Sequence, residues 1–391
     1  MAWSPKKKRV GALGALLMLG FLARVAWVVH DRAAAPHPDL MSFHPSQLPF
    51  THPFDTSPRE PFYVWWLWIL GAVGADSTAA IRLLGTLWFL PNAFLLFQLV
   101  RRHWDDRTAW GALGLFAVLP GQIVSDGLGL RHLMETAGVL LFLTALRTES
   151  SLESRRTWLQ AAGAFAALVL TRVTYAVPGG IFLTAAAFKN RRWRPILAGL
   201  PAALLLCFHL ANNQRRNGDA LYSINLHSYW YANLEFVGRP GFPATEAERQ
   251  RDVYRPSLNF RRWAFEAHTP AQYLAGTIQG YGRIAWTFFA QVYYRVGLPA
   301  LLTGALLALH LWGLLGALGG TPGRVALAAW VLLNFPYAFV GHVFWAGRFF
   351  VPFAPLALGL LVAGARDLTR RARAGWASFL LEERGAGRKI R

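Results

Sequence analysis

Two carboxylates lie beside apolar and aromatic residues, where a negative charge is costly unless it is paired or used. Asp39 lies in HPDLMSF, and Glu60 lies in REPFY directly before an aromatic run. A carboxylate in such a place could accept a proton from a hydroxyl nucleophile or help to hold a divalent ion. The structural alternative is that Asp39 caps a turn or helix and that Glu60 pairs with its neighbour Arg59.

Several arginines interrupt apolar segments, and Glu135 shares one of these segments. The arginines are Arg24, Arg82, Arg131, Arg172 and Arg348. One interpretation is that their side chains reach out to the lipid headgroups. If several converge at the outer leaflet instead, they would bind a lipid phosphate, because the guanidinium fork matches phosphate oxygens bidentately. Arg131, Arg172 and Arg348 are the candidates for that lipid-phosphate site.

Histidines in the expected outer segments are candidate metal ligands together with Asp or Glu. They are His37, His44, His52, His227 and His268. Their spacing matches no metal-binding motif, so the metal ligands stay unknown. A divalent cation is the one cofactor that the sequence leaves open.

The composition is that of a polytopic membrane protein. The chain has 391 residues, is 54% hydrophobic, and carries 40 Lys+Arg against 20 Asp+Glu. The basic PKKKRV stretch resembles a nuclear import signal, but an apolar segment follows it at once, and a basic flank of this kind marks the cytoplasmic end of a span. We therefore expect membrane lipids and no nucleic acid as partners. The apolar run continues through Val29, which favours an uncleaved first span over a cleaved signal peptide.

The apolar segments predict an all-α fold with about ten transmembrane helices. They cover residues 10–29, 77–100, 108–124, 127–146, 157–172, 174–188, 195–211, 298–318, 325–341 and 349–365. Basic residues follow each even-numbered span, which predicts that both termini are cytoplasmic. The chain then divides into an N-terminal transmembrane module (1–211) with a first outer loop (30–76), a long extracytoplasmic loop (212–297), and C-terminal spans with a basic cytoplasmic tail (298–391).

Residues 60–74 are too short an apolar stretch to cross a bilayer. Their dense Trp and Tyr content is typical of a helix that lies at the membrane surface. We therefore predict an interfacial helix within the first outer loop.

The order of these motifs resembles the GT-C superfamily of polyprenyl-phosphate-sugar-dependent glycosyltransferases, and most of all its protein mannosyltransferases and the bacterial lipid A aminoarabinose transferase. The motifs are the first span, HPDLMSF, REPFYVWWLWILGAVGADSTAAIRLLGTL, ALVLTRVTYAVPGG and HVFWAGRFFVPFAPLALGLL. The family's acidic and aromatic positions fall on Asp39 with Phe43 and on Glu60 with Pro61 and Tyr63, and its arginine at the start of the second span falls on Arg82. Leu40 and Phe349 depart from the family pattern.

The resemblance implies an inverting enzyme that moves a sugar from a polyprenyl-phosphate donor to a glycan, lipid or protein acceptor of the cell envelope. Asp39 would be the base, and Glu60 would orient the acceptor or hold a divalent ion. Tyr63 and Arg82 would support the acceptor and its loop. The protein would lie in the inner or plasma membrane with its active site on the extracytoplasmic side.

Two other classes stay open: a transporter or flippase of lipid-linked glycans, and a membrane protein without catalysis. We find no internal repeat of the kind that builds many transporters.

Overall fold

A computed structural model describes residues 5–31, 53–54, 56, 60–145, 154–252, 255–294, 300–317, 321–343 and 351–386. These residues form helices, and none of them forms a strand. The first nine α-helices are α1 (Pro5–His30), α2 (Pro61–Ala72), α3 (Thr78–Gly85), α4 (Phe89–His103), α5 (Asp106–Val118), α6 (Pro120–Asp126), α7 (His132–Ala145), α8 (Arg155–Thr171) and α9 (Ala176–Asn190). The others are α10 (Arg194–Leu197), α11 (Leu200–Asn217), α12 (Tyr222–Glu235), α13 (Glu246–Arg251), α14 (Pro270–Tyr294), α15 (Ala300–Ala317), α16 (Thr321–Ala338) and α17 (Ala354–Ala386).

Within the described residues, four helical segments are long and apolar enough to cross a membrane: Gly11–His30, Thr78–His103, Arg194–Asn217 and Val351–Ala374. A fifth is added if α5 and α6, which are bent by 62° at their junction, form one span. The chain is therefore compatible with a membrane-embedded, all-helical protein. The other predicted spans coincide with helices that are shorter or less apolar, so the number ten stays a prediction.

Aromatic stacking holds the central helices together. The rings of Phe89 and Phe116 lie 5.4 Å apart, and those of Phe142 and Phe165 lie 5.5 Å apart. These four side chains belong to one buried core that joins α4, α5, α7, α8 and α17. Dispersion between such closely packed rings does not depend on water, so the same core serves inside a lipid environment.

The bend between α5 and α6 provides hydrogen-bond acceptors for a buried arginine of the first helix, Arg24. Pro120 has no N–H, so it cannot bond the carbonyl of Phe116 as a regular helix would. Arg24 donates to that carbonyl at 2.9 Å and to the Ala117 carbonyl at 3.0 Å. Its Nε also lies 2.6 Å from an Asp126 carboxylate oxygen, and the whole Arg24 side chain is buried. Arg24 therefore pairs inside the bundle and does not reach out to headgroups.

The predicted helix at residues 60–74 is confirmed as α2, Pro61–Ala72. Pro61 suits the first helical turn, where its missing N–H has no partner to lose. One side of α2 buries Tyr63, Val64 and Leu67 against α3 and the start of α7. The orientation of α2 relative to the membrane stays a prediction.

The region predicted as a long loop, residues 212–297, contains substantial helical structure. It includes the end of α11, then α12, α13, a π-helical turn at Arg262–Glu266 and the 25-residue α14. Trp263 and Phe236 of this region pack with Phe339, which follows α16, in a separate buried cluster. Apolar packing therefore joins this region to the turn that follows α16.

We predict that Arg24→Met lowers the free energy of unfolding by about 3–5 kcal/mol, because it leaves Asp126 buried without its cation. The double variant Arg24→Met, Asp126→Asn should recover only part of this loss, since the carbonyls of Phe116 and Ala117 still lack their donor. Thermal unfolding of the purified protein in detergent measures both. Arg101→Met, at an exposed position of α4, is the control and should change stability by no more than about 0.5 kcal/mol. Wild-type stability in Arg24→Met would contradict the account.

Candidate functional site

Glu60 lies at the N-terminal end of α2, in extended conformation with φ −72° and ψ 142°. Only 6% of the residue is exposed. Its Oε2 accepts a hydrogen bond from Arg131 Nη1 at 2.5 Å. The sequence suggested Arg59 as a structural partner for Glu60, but Arg59 lies outside the described residues, and the observed partner is 71 positions away along the chain.

Arg131 begins a chain of buried charges that continues through Glu135 to Arg172. The Nε of Arg131 lies 3.9 Å from Glu135 Oε1, and Arg172 Nε donates a short hydrogen bond to the same oxygen. His132 Nδ1 lies 3.0 Å from the other oxygen, Glu135 Oε2. Two guanidinium groups and two carboxylates thus alternate through one buried cluster, here called the charge cluster: Glu60, Arg131, Glu135 and Arg172.

A turn before α7 places Arg131 where it can reach Glu60. Gly129 has φ +70°, a conformation that only glycine adopts at low cost. A Cβ at this position would also lie 3.0 Å from the Cα of Arg82. The Tyr63 hydroxyl donates to the Gly129 carbonyl, and Arg82 Nε donates to the Gly127 carbonyl at 2.8 Å. Tyr63 and Arg82 therefore hold the turn that carries Arg131.

Arg82 also joins this turn to the end of the first helix. Its Nη2 lies 2.6 Å from Asp31 Oδ2, and its Nη1 donates to the Asp31 carbonyl at 3.2 Å. Asp31 directly follows α1. Arg82 thus connects α1, α3 and the Gly127–Gly129 turn, but it does not belong to the charge cluster.

An aromatic residue from the C-terminal half of the chain, Tyr337, contacts the charge cluster. Arg172 Cζ lies 5.2 Å from the ring centre of Tyr337, which belongs to α16. Thr174 Oγ1 lies 3.5 Å from the Tyr337 hydroxyl. A cation over an aromatic face is attracted by the ring quadrupole, so Tyr337 stabilises the Arg172 guanidinium.

Electrostatics keeps Glu60 ionised. Burial alone would raise its pKa, but the positive charges of Arg131, His227 and Arg172 outweigh burial and lower the pKa to about 2. Glu60 is therefore an anion at every physiological pH. A buried anion of this kind can accept hydrogen bonds from a hydroxyl, and it can bind a cation that displaces an arginine.

Not all predicted site residues can be located. Asp39 and Arg348 lie outside the described residues, as do His37, His44 and His52. Glu60, Arg131 and Arg172 come together in the charge cluster. His132 and Tyr337 were not predicted as site residues, and Glu135 was noted only as a charge in an apolar segment. Arg131, His132 and Glu135 are spaced as neighbours on a helix face, which is the one sequence signal for their contact.

An apolar groove lies along α2, beyond the charge cluster. It has a volume of about 780 Å³ and is lined by Pro53, Trp65, Trp68, Ile69, Gly71, Ala72 and Asp76. The indole N–H of Trp65 donates to the Pro53 carbonyl at 2.5 Å and so closes one side of the groove. Such a groove fits a hydrocarbon chain better than a polar solute.

No protein-family model, no curated protein and no solved structure matches this chain.

We predict that Glu60→Gln destabilises the protein most above pH 4.5. The folded-state pKa of Glu60 lies at about 2, below the ordinary 4.5, so its stabilisation is complete above 4.5 and is lost as the pH falls from 4.5 towards 2. At neutral pH the variant should lose about 3–5 kcal/mol, because Arg131 keeps its charge without its anion. The measurement is thermal unfolding of both proteins across this pH range.

Glu266→Gln is the matched control, since the same change there affects a half-exposed carboxylate. It should alter stability little at any pH. A constant difference between wild type and Glu60→Gln from pH 7 down to pH 2 would show that Glu60 is not stabilised as an anion.

Proposed function

We propose that this protein is a membrane glycosyltransferase that transfers a sugar from a polyprenyl-phosphate donor to an acceptor on the extracytoplasmic side. One observation carries the proposal: the charge cluster, which brings a buried Glu60 anion and two guanidinium groups together at the end of an aromatic, apolar helix. Buried charges cost free energy, and clusters of them concentrate at functional sites. The sequence resemblance to the GT-C superfamily supplies the reaction class.

The arginines of the cluster are suited to a phosphate that arrives with the donor. Arg131 and Arg172 are each held by a carboxylate, so the cluster is balanced in charge before substrate binds. A guanidinium binds phosphate oxygens with the same geometry as carboxylate oxygens. Donor binding would therefore exchange a Glu contact for a phosphate contact and release Glu60 to orient the acceptor hydroxyl.

In the proposed reaction the acceptor oxygen attacks the anomeric carbon while Asp39 takes the proton from the acceptor hydroxyl. The bond between the anomeric carbon and the phosphate oxygen breaks, and its electron pair stays on that oxygen. Arg131, Arg172 and Arg348 would stabilise the negative charge that develops there. A single displacement inverts the configuration at the anomeric carbon. A divalent cation at Glu60 would add to the same stabilisation.

The groove along α2 supports a lipid-linked donor. It is lined mainly by apolar and aromatic side chains, and it lies on the helix whose first residue follows Glu60. A polyprenyl chain in this groove would keep its phosphate near the membrane surface. The acceptor's identity, whether glycan, lipid or protein, depends on contacts that the charge cluster does not determine.

A second candidate function is a non-catalytic membrane protein whose charge cluster only joins helices. The mutual neutralisation of Glu60, Arg131, Glu135 and Arg172 favours it, since a balanced and buried network can act as a structural connection. The two candidates differ in what Asp39 does. A structural role for the cluster makes no demand on Asp39, whereas the transferase requires its carboxylate.

We predict that Asp39→Asn lowers sugar transfer on the order of a hundredfold or more, the usual scale for loss of a general base, with thermal stability unchanged. Asn keeps the size and the capping oxygen of Asp but cannot take the proton. The assay uses purified protein in nanodiscs with a panel of polyprenyl-phosphate sugars, and mass spectrometry measures the released polyprenyl phosphate.

Asp252→Asn, at an exposed position, is the control and should transfer at the wild-type rate. Arg348→Lys tests the donor side, because it keeps the charge but loses the bidentate fork, so donor binding should weaken more than acceptor binding. Full turnover by Asp39→Asn would exclude Asp39 as the base. Absence of transfer by the wild type with every donor of the panel would favour the non-catalytic candidate.

A further inference from the structure

A second cluster of polar side chains lies far from the charge cluster in the chain. Glu235 ends α12, His268 precedes α14, and His342 ends the short 3-10 turn Val340–His342. Glu235 Oε1 lies 2.8 Å from His268 Nε2 and 3.3 Å from His342 Nε2. One ligand atom of each residue lies within 4.8 Å of the other two. Among the described residues, three elements thus direct a carboxylate and two imidazoles at one point.

The backbone determines which nitrogen of each histidine carries hydrogen. His268 Nδ1 lies 2.7 Å from the Trp263 carbonyl, and His342 Nδ1 lies against the Phe339 carbonyl. A carbonyl oxygen only accepts hydrogen bonds, so both Nδ1 atoms must be protonated. In a neutral histidine the lone pair then lies on Nε2, the atom that faces Glu235. This arrangement is the one that metal-binding histidines require, with the second nitrogen held by a carbonyl.

The carboxylate is oriented as well. Trp263 Nε1 donates to Glu235 Oε2 at 2.8 Å, which leaves Oε1 directed at the histidines. Trp263 therefore supports two of the three residues, Glu235 through its indole and His268 through its carbonyl. It lies in the π-helical turn, a distortion that is frequent at functional sites.

Two neutral imidazoles that both present a lone pair to a carboxylate oxygen leave three acceptors facing one another. This arrangement is unfavourable unless a cation lies between them or one histidine takes up a second proton. A metal satisfies all three groups at once, whereas a proton satisfies only one histidine. We propose that Glu235, His268 and His342 bind one divalent first-row metal ion of the zinc type.

The distances agree with such a site. Zinc binds imidazole and carboxylate at about 2.0–2.2 Å, so a tetrahedral site places its ligand atoms about 3.3 Å apart. The contact between Glu235 and His342 has this length at 3.3 Å, and the contact between Glu235 and His268, at 2.8 Å, must widen by about half an ångström. The Glu235, His268 and His342 side chains are 18%, 7% and 15% exposed. The three side chains are therefore largely buried but not fully closed off from solvent.

The surrounding packing holds the ligands in place. Phe339 stacks on Tyr273 with ring centres 4.4 Å apart, and Phe236 stacks on His268. A Cβ at Gly276 would lie 3.2 Å from His342 Nδ1, so the absence of a side chain lets α14 approach the histidine closely. The metal would thus connect α12, the turn before α14 and the 3-10 turn that follows α16. We infer that it joins the outer segment to the C-terminal helices.

The test uses the purified full chain in detergent, treated with a chelator and then titrated with Co²⁺ as a spectroscopic substitute for zinc. We expect one Co²⁺ per chain, with visible absorption bands of a low-coordinate site that Zn²⁺ abolishes by displacement. Glu235→Gln and His268→Gln should each weaken Co²⁺ binding by at least about 10–100-fold.

Trp263→Phe tests the supporting residue while all three ligands remain. It keeps the carbonyl that holds His268 but removes the indole N–H that orients Glu235, so the affinity should fall about tenfold. The Co²⁺ affinity of Trp263→Phe and the number of Co²⁺ ions bound per wild-type chain test the proposed metal site even if a ligand variant does not fold. Glu266→Gln in the same outer segment and His103→Gln at the end of α4 are the controls, and both should bind like the wild type.

The proposal is wrong if the wild type gives no saturable Co²⁺ bands, which would leave a protonated histidine paired with Glu235 as the explanation of the cluster. It is also wrong if the ligand variants bind Co²⁺ as tightly as the wild type. Neither outcome affects the proposed sugar transfer, because these residues lie outside the charge cluster.

Discussion

Pairing of buried arginines with carboxylates is the interaction on which this fold depends. An isolated charge inside an apolar helix bundle costs several kcal/mol, so each one requires a partner from another helix. Arg24 brings α1 to the bend between α5 and α6 through Asp126. Glu60 brings α2 to the start of α7 through Arg131, and Glu135 connects α7 to Arg172 after α8. The ion pairs that join α2, α7 and the end of α8 are therefore the same contacts that form the charge cluster.

The sequence predicts local features of this arrangement well. The length and Trp content of residues 60–74 predicted a short helix, and α2 occupies Pro61–Ala72, while its position at the membrane surface stays a prediction. The helical content and the membrane character also follow from the apolar runs. The span count does not, because a run of 14–18 apolar residues suits either a short buried helix or a tilted crossing. Among the described residues, four helical segments are both long and apolar enough to cross, or five if α5 and α6 form one span.

A single sequence does not show which side chains that lie far apart in the chain contact each other in the fold. Glu60 was paired with Arg59 in the structural interpretation because nearness in the chain was the only guide, yet its partner is Arg131. His268 was a candidate metal ligand with no assigned Asp or Glu partner, since its contact Glu235 lies 33 positions away, and His342 lies 107 positions from Glu235. Contact with the headgroups was one interpretation for Arg24, because nothing in α1 itself shows that Pro120 leaves a carbonyl without its donor. The partners of Glu60, His268 and Arg24 all depend on how the helices pack in three dimensions.

The contact between Arg24 and Asp126 has a consequence for how the protein is made. The two residues are 102 positions apart, so at ordinary rates of about 5–20 residues per second the arginine is synthesised about 5–20 seconds before its carboxylate. During this interval α1 contains a charge with no counterion and cannot rest stably in the hydrocarbon core. The first helix must be sheltered by the insertion machinery or remain at the membrane surface until α6 emerges. Stable placement of the first helix therefore depends on a residue that is synthesised 102 positions later.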